Sequence, residues 1–380
     1  MNKLCIIQPF LPDYRREVFF GMAQHCPVDL VISPIPSSEG FGSEILPNNS
    51  RIRFVTVPTL KPLGEKVGII QWGVGKYVRR ERPDAIFTFA NPRYFSFWTT
   101  LIWGKLLGIP TYVHGHGLFK KHRISFAYRI MMKALLRLVT SYICYAPIVR
   151  QSFIDYGFSD RKLTVAHNSV INPYPLIPSE KTGDELGVLF VGRLRQGSEL
   201  ELLIRVLDRI RQSDRIPVTL QVIGNGTEES LLHNLAKTRP WIVQHGQIYD
   251  PAQIQQISRN CFVGCYPGNA GLSVIHMMSL SLPVVTHDDL SSHQGPEPSF
   301  IRNGVSGILY DHKNREESLY QAIKSLALDP GKRARMQRAS FEEYQSLVNP
   351  PLWERFWSIL GDGGERAQIP PSPAACLDGD

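Results

Sequence analysis

Val188-Leu189-Phe190-Val191-Gly192-Arg193-Leu194 is the stretch on which the fold turns. Four apolar residues in succession read as a buried strand, and the Gly that closes it allows a close approach of backbone. Arg193 follows at the strand's carboxyl end, where ligands sit in open α/β sheets. Its planar fork suits two phosphate oxygens at once. A solvated Arg in an ordinary strand-to-helix turn reads the same residues.

Working outward, the alternation of strand and helix continues on both sides. After residue 194 come a helix to 212, a strand at Thr219–Ile223, a strand at 263–266, a helix from about Leu272 and a strand at 284–286. Before residue 188, strand runs at 4–7, 28–32, 52–57, 85–89 and 111–113 alternate with helical spacing at 16–25, 69–82, 95–107 and 124–138. Such repetition predicts doubly wound parallel sheets. Residues 171–187 carry three prolines and two glycines without periodicity and read as a linker. The expected organisation is therefore two Rossmann-like α/β domains, 1–170 and 188–348, facing an interdomain cleft. An aromatic-rich helix at 349–360 is expected to pack back on the first domain, and 361–380 to be a disordered tail.

The composition excludes several classes. Of 380 residues 43% are apolar, 20% charged and 10% aromatic, too apolar for a disordered chain and about right for two domains. No run approaches the roughly 20 apolar residues of a membrane-spanning helix. The start has one Lys and a very short apolar run before Pro9 and Pro12, unlike a signal peptide. The six cysteines form no CxxC pair and read as reduced thiols in a cytoplasmic protein. Charge is uneven: residues 1–170 hold 22 Lys+Arg against 10 Asp+Glu, while the rest is net negative. From 85 to 154 there is no acidic residue, against nine Lys/Arg. The first half therefore reads as meeting something anionic, or as a surface kept soluble by its charge.

Several other segments carry candidate chemistry. Gly224-Asn225-Gly226 follows a strand and resembles half of a dinucleotide fingerprint, without its third Gly. Tyr266-Pro267-Gly268-Asn269-Ala270-Gly271-Leu272 leads a strand through small residues into a helix, whose first amides form an anion site. His276 lies one turn inside that helix on the face of Leu272, as a ligand contact or a packed histidine. His114-Gly115-His116 ends a strand; two His with no completing ligand do not make a metal site, so no metal is expected, and His116 reads as a polar contact or proton handler. Glu297 in His293-Gln294-Gly295-Pro296-Glu297 reads as a contact to a sugar or as a surface carboxylate. Lys120, Lys121 and Arg123, with Arg129, Lys133 and Arg137 on the following helix, have the make-up of a surface-seeking basic amphipathic helix, or of a wet helix face. No nucleic-acid motif accompanies the charge.

Taken in order, these segments resemble a retaining glycosyltransferase of the GT-B fold, in the large family 4. Tyr14-Arg15 and Phe19-Phe20 stand where relatives read "YR…FF", and 157–169 is similar to the "G…K…V..N" run. Gly192-Arg193-Leu194 is similar to "GRL", and 268–285 follows "EGFGL…E.M..G.PVV" through Gly271, Leu272, Met278, Pro283, Val284 and Val285. The resemblance implies transfer of a sugar from a nucleotide-sugar donor, held mainly by the second domain, to a lipid-linked or polysaccharide acceptor on the first. It implies no cofactor and no metal, and work at the inner face of the cell membrane against anionic lipid. Arg193 would hold the diphosphate, with Gly192, Arg195, Gly224 and Gly226 nearby and the backbone of Asn269, Ala270, Gly271 and Leu272 assisting. His116 would approach the transferred sugar, and Tyr14, Arg15 and Asn91 would serve the acceptor. Two departures stand out. Gly268 and His276 occupy both positions of the E-x7-E pair, and Ser198 stands where relatives carry Lys. A GT-B protein that binds a nucleotide sugar or partner without turnover, and a nucleotide-sugar epimerase, are the rival readings.

Overall fold

The computed structural model describes residues 1–9, 11–33, 51–60, 70–121, 123–181 and 185–361. The chain divides into two compact units, one of 1–168 with the final helix and one of 169–349.

In the first unit, strands β1 (Leu4–Ile7), β2 (Val28–Ile32), β3 (Ile52–Thr56), β6 (Ala85–Phe89), β7 (Thr111–Gly115), β8 (Ser141–Cys144) and β9 (Leu163–Val165) form a sheet of order β3-β2-β1-β6-β7-β8-β9. Every neighbouring pair is parallel. A two-stranded antiparallel ribbon of β4 (Thr59–Leu60) and β5 (Ile70–Gln71) stands apart. The helices are α1 (Asp13–Ala23), α2 (Val74–Glu81), α3 (Phe95–Leu106), α4 (Phe126–Leu138) and α5 (Pro147–Asp155). Sequence spacing expects one helix across 69–82. Instead β5 is followed by a turn at Gly73, whose φ of 91° ends the extended run before α2 begins. Helix α4 starts two residues later than its apolar spacing implies, because the Ser125 hydroxyl accepts the Tyr128 amide and caps it there.

The final helix, α12 (Leu352–Gly361), belongs to the first unit. Its buried Leu352, Phe356, Ile359 and Leu360 join the core beneath α1. Trp353 lies so close to Gly21 that a β-carbon there would meet its ring at 2.2 Å, and Trp357 stacks on His25 with centroids 4.7 Å apart. Burying Leu, Ile and Phe side chains of this kind stabilises by about 1.5–3 kcal/mol each. The tail beyond residue 361 lies outside the described residues.

In the second unit, β10 (Gly187–Val191), β11 (Thr219–Ile223), β12 (Ile242–Gly246), β13 (Cys261–Cys265), β14 (Val284–His287) and β15 (Gly307–Tyr310) form a parallel sheet of order β12-β11-β10-β13-β14-β15. Around it run α6 (Leu200–Ser213), α7 (Glu229–Ala236), α8 (Pro251–Ser258), α9 (Ser273–Ser279), α10 (Arg315–Leu328) and α11 (Pro330–Val348). Within the proline-rich segment expected as a linker, residues 172–176 are tied to this unit. Leu176 is buried and its amide donates to the Ser279 carbonyl at 3.0 Å, the Ser281 hydroxyl donates to the Leu176 carbonyl, and Asn172 Nδ2 donates to Ser279 Oγ at 2.8 Å.

Candidate active site

The strand order of the second unit reverses between β10 and β13, so the crevice at their carboxyl ends is where a ligand is expected. Three connections meet there. The Gly192 amide donates to the Ile223 carbonyl at 3.0 Å, the Leu194 amide to Asn225 at 2.9 Å and the Glu228 amide to Leu194 at 3.0 Å. Gly224, at φ 140°, brings the two turns so near that a β-carbon would fall 1.9 Å from the Gly192 carbonyl oxygen. Gly226 lies equally tight against the Leu194 carbonyl, 2.3 Å from where its β-carbon would be. These glycines thus serve a backbone interlock between the turns after β10 and β11.

The short turn 196–198 is zipped to the loop after β13. The Gly268 amide donates to the Ser198 carbonyl at 3.1 Å and the Asn269 amide to Gly197 at 2.8 Å. A side chain on residue 268 would place its β-carbon 2.2 Å from the Gly197 carbonyl oxygen. The missing carboxylate at 268 is therefore a steric requirement of this backbone. Ser198, where a Lys stands in relatives, is fully buried, and its hydroxyl reaches Glu228 Oε2 at 3.4 Å. It lines the support of the loop, not a face open to a donor.

The same loop is held from its other side. The Ala270 amide donates to His293 Nδ1 at 3.1 Å, the Gln294 amide to the Ala270 carbonyl at 2.8 Å, and Tyr310 Oη to the Pro267 carbonyl. The amides of Asn269 and Ala270, expected to assist a diphosphate, are thereby occupied by protein acceptors. Those of Gly271, Leu272 and Ser273 have no hydrogen-bond acceptor among the described residues. Glu297 is buried, folded beneath the Gly295 turn, with Oε2 3.9 Å from where a β-carbon of Gly271 would stand. It is not a surface carboxylate. His293 is the residue that sequence reasoning passed over; its place four residues before Glu297 was the available signal.

Arg193 is exposed at the end of β10. Arg195 is half-buried, its Nη2 donating to the Asn269 carbonyl at 3.4 Å, while its Nε is buried without an acceptor among the described residues. His276 sits in α9, half-buried, and desolvation pushes its pKa down to about 4, so it is neutral at pH 7. A neutral imidazole offers one donor and one acceptor, not a charge.

In the first unit the strand order reverses between β1 and β6. A recess of 210 Å³ opens at their carboxyl ends, lined by Gln8, Tyr14, Thr88, Asn91, Tyr94 and neighbouring apolar residues. Tyr14 and Asn91 thus share one hollow. Arg15 does not line it. It is buried, its Nη2 donates to Asn168 Oδ1, and its guanidinium lies 5.2 Å from the ring centroids of Tyr14 and Phe89. His116 is exposed at the end of β7, edge-on to Phe119 and 5.7 Å from Tyr145. Desolvation by the atoms packed around the ring, and secondarily Lys120, push its pKa down to about 4, so it is neutral at pH 7.

The basic cluster divides. Lys120, Lys121, Arg123, Lys133 and Arg137 are exposed, whereas Arg129 turns inward and its Nη1 donates to the Tyr156 carbonyl at 2.9 Å. No group of three or more His, Cys, Asp or Glu among the described residues is arranged to hold a metal. No helix among them is long and apolar enough to cross a membrane.

The family described as "Glycosyl transferases group 1" matches residues 177–343, and "Glycosyltransferase Family 4" matches 22–171. Among solved structures, HepE of Anabaena in complex with UDP is similar over 95% of this chain and 100% of its own, at 17% identity and a TM-score of 0.71. TarM of S. aureus, in complex with UDP among other ligands, is similar over 96% and 100% at 11% identity and 0.65. The lipopolysaccharide outer core galactosyltransferase WaaB is similar over 92% and 99% at 13% and 0.60. Sequence search of curated proteins finds no match. Two parallel doubly wound α/β units are the architecture of the GT-B class, and with both family matches the protein is a glycosyltransferase of that fold. Within that class, the two matches cover both units, and the chain belongs to glycosyltransferase family 4.

Proposed function

We propose that the protein moves a sugar from a nucleoside-diphosphate sugar to a hydroxyl of a lipid-linked oligosaccharide or other cell-surface polysaccharide precursor. Configuration at the anomeric carbon is retained and no metal is needed. The observation that carries this reading is the interlocked loop cluster at the carboxyl ends of β10, β11 and β13, at a switch point of the sheet, with Arg193 and Arg195 both in the turn that follows β10. The UDP in the HepE structures, one of which holds UDP-glucose, and the galactosyltransferase activity named for WaaB support it.

In this reading the bond from the anomeric carbon to the β-phosphate oxygen breaks and its electron pair passes to the diphosphate. Arg193 and Arg195 stabilise that charge, with the amides of Gly271 and Leu272 as further donors. The acceptor oxygen bonds to the carbon from the same face and its proton passes to the leaving phosphate oxygen. Glu297 accepts hydrogen bonds from the donor sugar or ribose. His276 donates one, and neutral His116 contacts the transferred sugar. Tyr14 and Asn91 take the acceptor in the recess they line. The excess of Lys and Arg in the first unit draws the protein to the anionic inner face of the cell membrane, each surface cation contributing about 1 kcal/mol.

Calorimetric titration with UDP, GDP, ADP and CDP, then with the matching nucleotide sugars, tests the donor site. Selective binding of one diphosphate, followed by product formed only with acceptor present, is expected. Failure of all four to bind overturns the reading. Binding without product favours a protein that holds the nucleotide sugar without turnover.

A further inference from the structure

Helix α3 is apolar on both sides. Phe97, Thr100, Leu101 and Gly104 face the sheet and are buried. On the opposite side, Phe95, Thr99, Ile102 and Leu106 fall at i, i+4, i+7 and i+11, a single narrow stripe on a helix of 3.6 residues per turn. Phe95 is 61% exposed and Leu106 69%, so nothing among the described residues covers this stripe. Helix α4 packs beside α3 and repeats the same spacing outward with Phe126, Ile130, Lys133 and Arg137. Its stripe begins apolar, with Phe126 79% exposed, and ends in two cations.

At the start of the α3 stripe lies an apolar hollow of 300 Å³ lined by Trp72, Val74, Lys76, Phe95, Thr99 and Trp103, with Trp72 itself 66% exposed. Scattered exposed apolar residues are ordinary, but exposed apolar rows along the outer faces of two adjacent helices mark a binding surface. The charge around it chooses the occupant. Lys76 lines the hollow, exposed Lys105 adjoins Leu106 in the α3 stripe, Lys133 and Arg137 end the α4 stripe, and there is no acidic residue anywhere from 85 to 154. A second copy docking by the same face would bring these cations against their own kind. Anionic headgroups oppose them with the correct sign, and the apolar rows then reach the acyl boundary, with tryptophan at headgroup level.

We infer that the outward faces of α3 and α4, together with Trp72, form a bilayer-docking surface that inserts its apolar rows among the headgroups of an anionic membrane. This deepens the membrane part of the proposed function, which rests on charge alone, and it is independent of the donor site. Attachment then has two components. The cationic one is screened by salt, with a Debye length of about 10 Å at 0.1 M, and the apolar one is not.

The test is co-sedimentation of the full chain with phosphatidylcholine vesicles, with and without phosphatidylglycerol, at low and high salt. The wild type is expected to bind the anionic vesicles and to keep part of that binding at high salt. The variant Phe95→Ser/Ile102→Ser/Leu106→Ser, all at exposed positions, is expected to lose about tenfold in affinity and to have no high-salt component. Lys133→Gln/Arg137→Gln is expected to lose binding at low salt only, and Leu328→Ser in the second unit to bind as wild type. A triple variant that melts normally and binds vesicles like the wild type overturns the inference while leaving charge attraction standing. So does a wild type that elutes as a dimer which the triple variant dissociates. No vesicle binding by the wild type overturns both the inference and the membrane reading. Nucleotide titration of the triple variant, expected to match wild type, keeps the donor site out of the result.

Discussion

The Ala270 amide donates to Nδ1 of His293 across 3.1 Å, tying the loop after β13 to the segment after β14. Because Nδ1 accepts, the ring proton sits on Nε2, which donates to the His287 carbonyl at 3.0 Å. The ring also stacks on His287 with centroids 3.8 Å apart. His293 is therefore a positioning residue: it holds the stretch that leads to Gly271 and α9 without itself being assigned a ligand. His293→Ala leaves a buried amide without an acceptor, a loss of about 1–3 kcal/mol. It is expected to lower the melting temperature and to weaken nucleotide binding by about tenfold. His293→Asn, whose Oδ1 can take the same amide, is expected to recover part of both. Wild-type nucleotide affinity in the Ala variant, measured by calorimetry, would remove the positioning role.

Gly268 makes a sharper prediction, because restoring the carboxylate found in relatives should harm the protein. The β-carbon of any replacement meets the Gly197 carbonyl oxygen at 2.2 Å and the Ser198 carbonyl carbon at 2.8 Å. Neither is the far end of a flexible side chain, so the 196–198 turn has to move. Gly268→Ala is expected to cost about 1–3 kcal/mol as an overpacking change, and Gly268→Glu more. Both lose the pair of hydrogen bonds from 268 and 269 to that turn. Thermal melting and transfer rates of the two variants check this. A Glu variant with higher activity would show that the site has decayed rather than been rebuilt.

Where the physics is local, the sequence shows the fold. The apolar runs at 188–191 and 219–223 are strands because both their faces are covered, and their burial leaves no polar position to blur them. Strand β12 escaped notice because it lies at the sheet edge, where Val243 and Gln244 face solvent and the run loses its apolar character. Helix α11 was hidden for the opposite reason. Its inner face mixes Arg333, Gln337, Ser340 and Glu343 with Met336, Tyr344, Leu347 and Val348, so the apolar period is interrupted although the residues are buried. Tertiary partners satisfy them: Arg333 lies over the Phe262 ring, Ser340 Oγ donates to the Leu282 carbonyl at 2.7 Å, and Arg302 Nε donates to Glu343 at 2.9 Å. The site was legible to the same degree. Arg193 and Glu297 could be picked out by position after a strand. The zipping of 268–269 to 197–198 could not, since backbone-to-backbone contact between distant loops leaves no trace in residue type except glycine.

A carboxylate network at the edge of the first sheet fixes the acid limit of that unit. Asp29 is opposed by its own burial, which raises its pKa, but Arg53, Tyr77 and Lys3 outweigh this and hold it below the usual range. Glu81 is held down to about 2, chiefly by Lys3 and then Arg80. Both pKa values are depressed on folding, so their contribution is fully present above the ordinary carboxylate range and is lost as pH falls through the folded values. Melting temperature is expected to drop as pH is lowered from about 4.5 toward 2. Glu81→Gln is expected to lower stability at neutral pH and to flatten that slope. An unchanged slope in the variant would remove Glu81 from the account.

The two arginines after β10 are not equivalent, and in the proposed reaction their variants separate a charge that faces the diphosphate from a brace of the loop. Arg195 is partly committed to the protein, since Nη2 donates to the Asn269 carbonyl at 3.4 Å and so also braces the loop. Arg193 is the more exposed of the two. If charge on the departing diphosphate is the quantity that matters, Arg193→Ala is expected to lower kcat by about 10²–10³, or roughly 2.7–4 kcal/mol, with a smaller change in melting temperature than Arg195→Ala. Arg195→Ala is expected to lower kcat and the melting temperature together, because it removes a brace as well as a charge. Arg193→Lys keeps the charge but loses the planar fork, so it is expected to fall between wild type and Ala. Steady-state kinetics beside thermal melts read both effects. Normal turnover in Arg193→Ala would take the diphosphate away from this arginine and leave Arg195 as the cation at the switch point of the second sheet.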